Sequence, residues 1–220
     1  MKINIVSIFP DFFRVPLGLS IPRRAAEAGL VSYRLVDLRD YTHDRHRTVD
    51  DLPYGGGAGM VMKPEPFFEA VDDLDPRGPV VLLSARGRSF GHADAVRFAV
   101  ESELTLLCGH YKDVDQRVAD HLATEELSLG DFVLSGGEPA AIAVVDAVVR
   151  LLPGAMSDAD SARESESFGV RATFEGIDMP KVNEYRDGVV AKLYKGLQGL
   201  VKSRNVTFVE GAGRLVSPNT

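Results

Sequence analysis

The sequence predicts an α/β fold in which helices flank a parallel sheet. Two short, continuous apolar runs, Pro79–Ser84 and Leu104–Cys108, are typical of strands that are buried on both faces. A helical segment, His92–Ser102, separates them. Strands that alternate with helices form parallel sheets, because a helical crossover returns the chain to the edge where the previous strand began.

The remaining elements continue this alternation along the chain. Gly29 ends a short helix, and an alternating strand pattern follows it. A strongly apolar helix then closes the region, with one face rich in valine and isoleucine. In chain order, the predicted strands are Ile3–Ile8, Val31–Leu38, Pro79–Ser84 and Leu104–Cys108, and the predicted helices are Pro22–Ala28, Pro64–Asp73, His92–Ser102, Val114–Ala123 and Pro139–Leu152.

Three stretches depart from the alternation. Arg39–Gly59 is long, polar and rich in glycine, which is more typical of a functional loop than of a plain connector. Asp158–Ser167 consists of small and polar residues and suits a linker or a mobile lid. Beyond it, Arg186–Lys202 predicts a helix with one apolar side, and Asn205–Val209 predicts a strand.

The composition narrows the class of protein. The 220 residues are 45% hydrophobic and 26% charged, which is ordinary for a globular protein, and no apolar run is long enough to cross a membrane. The net charge of −7 gives no global attraction to nucleic acid, so any RNA contact must come from a local basic patch. Cys108 is the only cysteine, which excludes an internal disulfide and fits a reducing cytoplasm. Its apolar neighbours predict that it is buried.

Three glycine-bearing loops are the candidates for a ligand site. They are 83–87, 109–113 and 128–138. In an open parallel sheet, ligands bind beyond the carboxyl ends of the strands, where such loops meet. Glycine lets backbone amides and carbonyls approach a ligand closely, although plain turn chemistry explains the same residues. The residues alone leave both interpretations open.

Other motifs limit the possible chemistry. Gly55-x-Gly57 would need glycine in place of Met60 to complete a dinucleotide fingerprint, and no glycine run ends in Gly-Lys-Ser/Thr. His43 and His46 lack the cysteine or carboxylate partners of a zinc site, so no metal site is predicted. Arg45 and Arg47 make the same loop either an ordinary solvated segment or a phosphate contact for RNA.

A family resemblance rests on several segments of the chain. Four motifs resemble the signature of the bacterial tRNA (guanine(37)-N(1))-methyltransferase family, TrmD: Thr42–Asp51, Pro53–Met60, Gly109–Tyr111 with Val114–Arg117, and Ser128–Glu138. Leu151–Gly154, at the end of the apolar helix, also matches, as does the opening Ile-Phe-Pro. The resemblance is collinear over about three quarters of the chain, residues 1–168.

The resemblance implies a fold and a methyl donor. The family has the SPOUT fold, an α/β parallel sheet whose C-terminal part is threaded through a deep trefoil knot, and it forms a homodimer with active sites between subunits. The implied domains are a methyltransferase domain over 1–157 and a lid over 158–168. The implied S-adenosylmethionine-binding residues are Leu83, Ser84, Ala85, Gly109, Tyr111, Leu129, Gly130, Asp131, Phe132, Val133, Leu134, Ser135, Gly136 and Gly137.

The resemblance also implies the substrate and the catalytic residues. The substrate is tRNA with guanine beside the anticodon, at position 37. Glu166 matches the general base for guanine N1, although the family carries aspartate there, and Arg150 matches the arginine that stabilises charge on the guanine oxygen. Lys112 stands where many members have glutamate. The family further implies a Mg²⁺ requirement, and the implied tRNA-contacting residues are His43, Arg45, His46, Arg47, Tyr54, Gly55, Gly56 and Gly57.

The last segment departs from the family pattern. A Tyr-Thr-Arg-Pro motif and a helical tRNA-binding domain should follow Phe168, and neither is present. Instead, 169–220 resembles an internal fragment of dihydrolipoamide dehydrogenase, through Ile177–Val182 and Val206–Gly211, as a helix-strand tail foreign to the family. The sequence is therefore consistent with three functions. The first is the methyltransferase, and the second is an S-adenosylmethionine-binding knotted dimer without catalysis. The third, with least support, is a flavin or nicotinamide oxidoreductase fragment.

Overall fold

The computed structural model describes residues 1–53, 56, 59–156 and 179–204, with side chains in the last range for 184–199, 203 and 204. The chain divides into two units, Met1–Arg163 and Glu164–Thr220. In chain order, the strands are β1 Lys2–Ser7, β2 Ser32–Asp37, β3 Asp50–Asp51, β4 Val61–Met62, β5 Val80–Ser89, β6 Glu103–Cys108, β7 Asp113–Val114 and β8 Glu125–Ser128. The helices are α1 Arg14–Leu17, α2 Ser20–Glu27, α3 Pro64–Leu74, α4 His92–Ala99, α5 Gln116–His121, α6 Glu138–Val149 and α7 Met179–Ser203.

A five-stranded parallel sheet forms the centre of the first unit, in the order β2-β1-β6-β5-β8. This confirms the predicted α/β class and parallel sheet. A small second sheet joins β3 to β4 antiparallel and β4 to β7 parallel. Through β4, it connects Asp50–Asp51 of the long loop to Asp113–Val114, which follow β6 in the chain.

Helices cover both faces of the central sheet because the strands are apolar on both sides. On one face, Leu104 and Leu106 of β6 belong to the same core as Phe98 of α4 and Val145 of α6. On the other face, Leu82 and Leu107 belong to a core with Phe67 and Ala70 of α3. Each fully buried leucine or phenylalanine stabilises the fold by about 1.5–3 kcal/mol relative to an exposed one. Cys108 is buried in the first core, as predicted, and burial raises the pKa of its thiol.

The structure corrects several predicted boundaries. The predicted helix Val114–Ala123 is shorter, because Val114 ends β7 and the Asp115 side chain caps α5 by accepting the Arg117 N–H. β5 runs to Ser89, beyond the predicted end at Ser84. The strands β3, β4, β7 and β8 and the short helix α1 were not predicted. The tail helix α7 is longer than the predicted Arg186–Lys202, while the predicted strand Asn205–Val209 and the segment 158–167 lie outside the described residues.

Candidate functional site

Three loops meet at the carboxyl ends of β5, β6 and β8 and line one cleft. Twelve of the fourteen residues predicted to bind the donor line it. The structure therefore brings the three glycine loops together. Of that predicted set, Gly130 and Asp131 do not line the cleft. The additional lining residues are Arg86, His110, Lys112, Asp113, Val114, Leu127, Ser128 and Ala140.

A bulge in β5 supplies the first wall. Leu83 and Arg88 both pair with Leu127 of β8, so residues 84–87 leave the ladder between them. Gly87 lies so close to the β8 backbone that a Cβ there would collide with Glu126 and Leu127. Glycine at this position therefore allows the bulge to form against the edge strand, with Ser84 and Ala85 at the cleft.

The loop after β6 supplies the second wall and is held to the third. The Gly137 N–H donates to the Gly109 carbonyl at 2.7 Å, and His110 forms an isolated antiparallel bridge with Gly136. Tyr111 adopts a left-handed conformation with φ of 62°, which turns the chain sharply after His110. The Lys112 N–H donates to the Met60 carbonyl at 3.0 Å and connects this wall to the small sheet.

The third wall is apolar and exposed. Phe132, Val133 and Leu134 are 54%, 84% and 40% exposed, although they line the cleft. Large apolar side chains at such exposure are unfavourable in water and are typical of a surface that a ligand or another chain covers. The loop then ends at α6, whose first residue is Glu138.

A buried carboxylate beneath the cleft was not assigned a role from the sequence. Glu138 is only 3% exposed, and its Oε1 accepts a hydrogen bond of 2.7 Å from the Ser7 hydroxyl. Its Oε2 lies 3.7 Å from His110 Nδ1. A Cβ at position 136 would collide with both of these atoms, so Gly136 leaves room for them. The sequence signal was an acidic residue directly after Gly-Gly at the start of an apolar helix.

A second cleft lies beside the first, along the 41–53 segment, and Arg86 lines both. Arg86 pairs with Asp113 at 3.1 Å and donates to Gln116 Oε1 at 3.0 Å. His43 lines the second cleft and contacts Glu69 at 2.9 Å. The arginine therefore stands on the boundary between the predicted donor loops and the predicted RNA loop.

The predicted RNA-contacting residues divide into two groups. Arg47 turns back onto its own loop, where it pairs with Asp40 and, at 3.7 Å, with Asp37, so its guanidinium is already engaged. Arg45 is exposed and has no hydrogen bond or ion pair within the described ranges. The His46 N–H donates to Asp44, and neither His46 nor Arg45 lines the second cleft. Gly56 is described with φ of 80°, whereas Tyr54, Gly55 and Gly57 lie outside the described residues.

Of the two predicted catalytic residues, the structure describes only Arg150, and this arginine does not line the cleft. Arg150 follows the last residue of α6, while Gly137, which lines the cleft, directly precedes the first residue, Glu138. The twelve residues of this helix span about 18 Å at 1.5 Å per residue. Arg150 is accordingly absent from the residues lining the cleft. Glu166 lies outside the described residues.

The described residues contain neither a metal site nor a membrane-spanning helix. Within residues 1–53, 56, 59–156 and 179–204, no group of three or more His, Cys, Asp or Glu side chains could hold a metal ion. The same ranges contain no helix long and apolar enough to cross a membrane.

Comparison with known proteins identifies close relatives. The family model described as tRNA (Guanine-1)-methyltransferase TrmD matches residues 1–201. A protein named tRNA (guanine-N(1)-)-methyltransferase from Dehalococcoides mccartyi is 48% identical over 195 residues, which cover 83% of this chain and 79% of the relative. Proteins of the same name from Dictyoglomus turgidum and Koribacter versatilis are 51% identical over 193 residues and 53% identical over 175 residues. The Dictyoglomus match covers 83% of this chain and 78% of the relative, and the Koribacter match covers 76% and 66%.

The comparisons do not support the resemblance of 169–220 to dihydrolipoamide dehydrogenase. The methyltransferase model continues to residue 201, well past Phe168, and the relatives named above are methyltransferases. The oxidoreductase interpretation of the tail therefore has no support beyond the short segments on which it was based.

Proposed function

Because the chain belongs to the tRNA (guanine-1)-methyltransferase TrmD family, we propose that it transfers a methyl group from S-adenosylmethionine to N1 of guanine 37 in tRNA. The chain is thus a methyltransferase that modifies tRNA. The observation that carries the proposal is the single cleft, in which twelve of the fourteen residues expected to bind the donor come together from three separate loops. The cleft would serve a non-catalytic donor-binding protein equally well, and the match to methyltransferases favours catalysis. The oxidoreductase has neither observation in its favour.

The cleft suits an adenosine carrying an amino-acid tail. Gly109, Gly136 and Gly137 carry no side chains, so an adenine can approach the backbone of these loops closely. Phe132 and Leu134 offer apolar contact to the ring system, and burial of these exposed side chains would contribute to affinity. When bound, S-adenosylmethionine supplies an electrophilic methyl group on a sulfonium.

The residues of this chain then act on the guanine. Glu166 is proposed to accept the proton that leaves N1, so that the nitrogen lone pair becomes available to the methyl group. Arg150 is proposed to stabilise the negative charge that develops on the guanine O6 as the proton departs. The loop carrying His43, Arg45 and Gly56 is proposed to contact the tRNA beside the second cleft. Magnesium is implied by the family alone, and the described residues do not support a site for it.

The position of Arg150 supports the proposal of a homodimer with active sites between subunits. At about 18 Å along α6 from Glu138, this arginine cannot serve the cleft of its own chain without a large rearrangement. Phe9, Phe12 and Val15 are 45%, 46% and 69% exposed, and the Phe9 ring lies 5.1 Å from that of His110. An exposed apolar strip beside the site is typical of an interface, which would bring Arg150 of the partner subunit to the cleft.

The finer architecture belongs to the same proposal. We infer that residues 1–157 form a SPOUT domain with a trefoil knot, that 158–168 form a lid, and that the enzyme works in the cytoplasm. The knot is proposed from the family match. The remaining residues, 169–220, stand where the family carries its tRNA-binding domain.

The catalytic assignments are tested by comparing variants in a methyl-transfer assay. Glu166→Ala and Arg150→Ala should each lower turnover on tRNA by about a hundredfold or more, with binding of S-adenosylmethionine kept, because they act on the guanine. Glu164→Ala, which removes a nearby carboxylate, is the matched control for Glu166. Full activity in both catalytic variants would overturn the roles assigned to these residues.

A further inference from the structure

The buried Glu138 carboxylate lies against the loop that forms the second wall of the cleft. It is in the first turn of α6, where the positive end of the helix dipole stabilises a negative charge. Ser7, at the end of β1, donates to Oε1 at 2.7 Å, and the Ser7 oxygen in turn accepts the Phe9 N–H at 2.8 Å. One oxygen of the carboxylate is therefore anchored, and the other faces His110.

The atom that Oε2 faces is an imidazole nitrogen without another partner. His110 Nδ1 is buried and makes no hydrogen bond within the described ranges, while it lies 3.7 Å from Glu138 Oε2. The ring is confined by Phe9 and Tyr111, whose rings lie 5.1 and 5.2 Å away in edge-to-face arrangements. Gly136 adds no side chain that could separate the two groups. If Nδ1 carried no proton, its lone pair would face the buried carboxylate, and the two would repel each other.

We propose that Glu138 is a positioning residue that keeps a proton on Nδ1 of His110. The neighbours of the two ring nitrogens decide which nitrogen of a histidine carries the proton. An ionised carboxylate can only accept a hydrogen bond, so it favours a proton on the nitrogen that faces it. Nδ1–H therefore faces Glu138 whether the imidazole is neutral or charged. In the neutral ring, Nε2 is left as a hydrogen-bond acceptor on a residue that lines the cleft.

The consequence for the ligand rests on the proposed function. A neutral imidazole with a free Nε2 recognises a hydrogen-bond donor, such as the exocyclic amino group of adenine or the ammonium group of the donor's amino-acid tail. Glu138 thus acts on methyl-donor binding through His110, and we expect no direct effect of the carboxylate on the guanine. A change at Glu138 should raise the KM for the donor and leave the KM for tRNA unchanged.

Side-chain ¹⁵N nuclear magnetic resonance of the full chain measures the proton position directly. The chain has five histidines, so the His110 signals are assigned by their loss in His110→Asn. We expect a protonated Nδ1 in the unmodified chain. In Glu138→Gln, the amide oxygen still accepts from Ser7, its NH₂ group faces His110, and the proton should move to Nε2. Ser7→Ala is the matched control, because it keeps the carboxylate and should therefore keep Nδ1–H.

Two results would overturn the proposal: an unprotonated Nδ1 in the unmodified chain, or the same proton position in Glu138→Gln. The first does not depend on the Glu138→Gln variant, so a Glu138→Gln chain that fails to fold does not leave the question open. Binding of S-adenosylhomocysteine, followed by calorimetry, should weaken about tenfold in Glu138→Gln, the loss of roughly one hydrogen bond. The proton positions can be as expected while neither S-adenosylhomocysteine nor tRNA binds. In that case the proposed function fails, and the positioning role of Glu138 stands.

Discussion

The N–H of Gly137 donates to the carbonyl of Gly109 at 2.7 Å, which joins two loops that come from opposite sides of the β6–β5–β8 part of the sheet. Neighbouring atoms make this junction tight. A Cβ at Gly137 would lie 2.9 Å from the Cα of Cys108, and one at Gly136 would collide with Glu138 and His110. The shape of the cleft therefore depends on the absence of side chains at two adjacent positions.

Gly136→Ala should weaken donor binding. The added methyl group must displace the His110 ring or the Glu138 carboxylate, and either movement separates the walls of the cleft. We expect the dissociation constant for S-adenosylhomocysteine to rise by about tenfold or more, as the loss of about 1.4 kcal/mol of binding free energy implies. Gly91→Ala is the control, since a Cβ there meets open space. Equal binding by the two variants in calorimetry would contradict the tight junction.

The two arginines of the 41–48 loop should differ in their effect on tRNA. Arg45 is exposed and makes no ion pair within the described ranges, whereas Arg47 is bound to Asp40 and Asp37. We expect Arg45→Ala to weaken tRNA binding and to lower the slope of log K against log salt by about 0.7–0.9, the value of one phosphate contact. Arg47→Ala should chiefly lower the stability of the loop. Gel-shift titrations at several salt concentrations measure the slope, and an unchanged slope for Arg45→Ala would contradict the assignment.

Acid should destabilise the first unit partly through Asp94. The hydrogen bond from Arg88 lowers the pKa of this carboxyl to about 2, against the opposing effect of burial, and the Gly91 N–H and Arg97 contribute further. A carboxyl whose pKa is depressed in the folded state stabilises it above the unfolded pKa of about 3.9 and loses this contribution as the pH falls toward the folded pKa. The relevant window is therefore about pH 4 to 2.

Asp94→Asn tests this contribution, since it keeps the shape of the side chain and removes its titration. The unfolding free energy of the unmodified chain should exceed that of Asp94→Asn by a constant amount above about pH 5, and the difference should shrink between about pH 4 and 2. Denaturant unfolding at a series of pH values provides the measurement. A difference that does not change with pH would show that the Arg88–Asp94 pair contributes nothing through ionisation.

The sheet could be predicted from the sequence where burial on both faces leaves a continuous apolar run. This holds for β5 and β6, whose runs at Pro79–Ser84 and Leu104–Cys108 were recognised. The edge strand β8 was missed, because it begins with Glu125 and Glu126, which pair with arginines instead of entering the core. β5 is also longer than predicted, since residues 84–87 form a bulge and the pairing with β8 resumes at Arg88.

The site could be predicted only as far as its loops. Glycine patterns and family motifs identified the three segments, and the structure brings them to one cleft. The contact between His110 and Glu138 has no sequence signature, because it joins residues that meet only when the last loop folds against the loop after β6. Similarly, the engagement of Arg47 by Asp40 depends on how the loop turns and could not be inferred from its charge.

The most direct test of the central claim is methyl transfer by the unmodified chain. The purified protein is incubated with S-adenosylmethionine and with two tRNA transcripts that differ only in carrying guanine or adenine at position 37, and the digested nucleosides are analysed by mass spectrometry. We expect 1-methylguanosine from the transcript with guanine at position 37 and none from the transcript with adenine there. Binding of S-adenosylmethionine by the same preparation, measured by calorimetry, without formation of 1-methylguanosine would contradict the account and would leave a donor-binding protein that does not methylate tRNA.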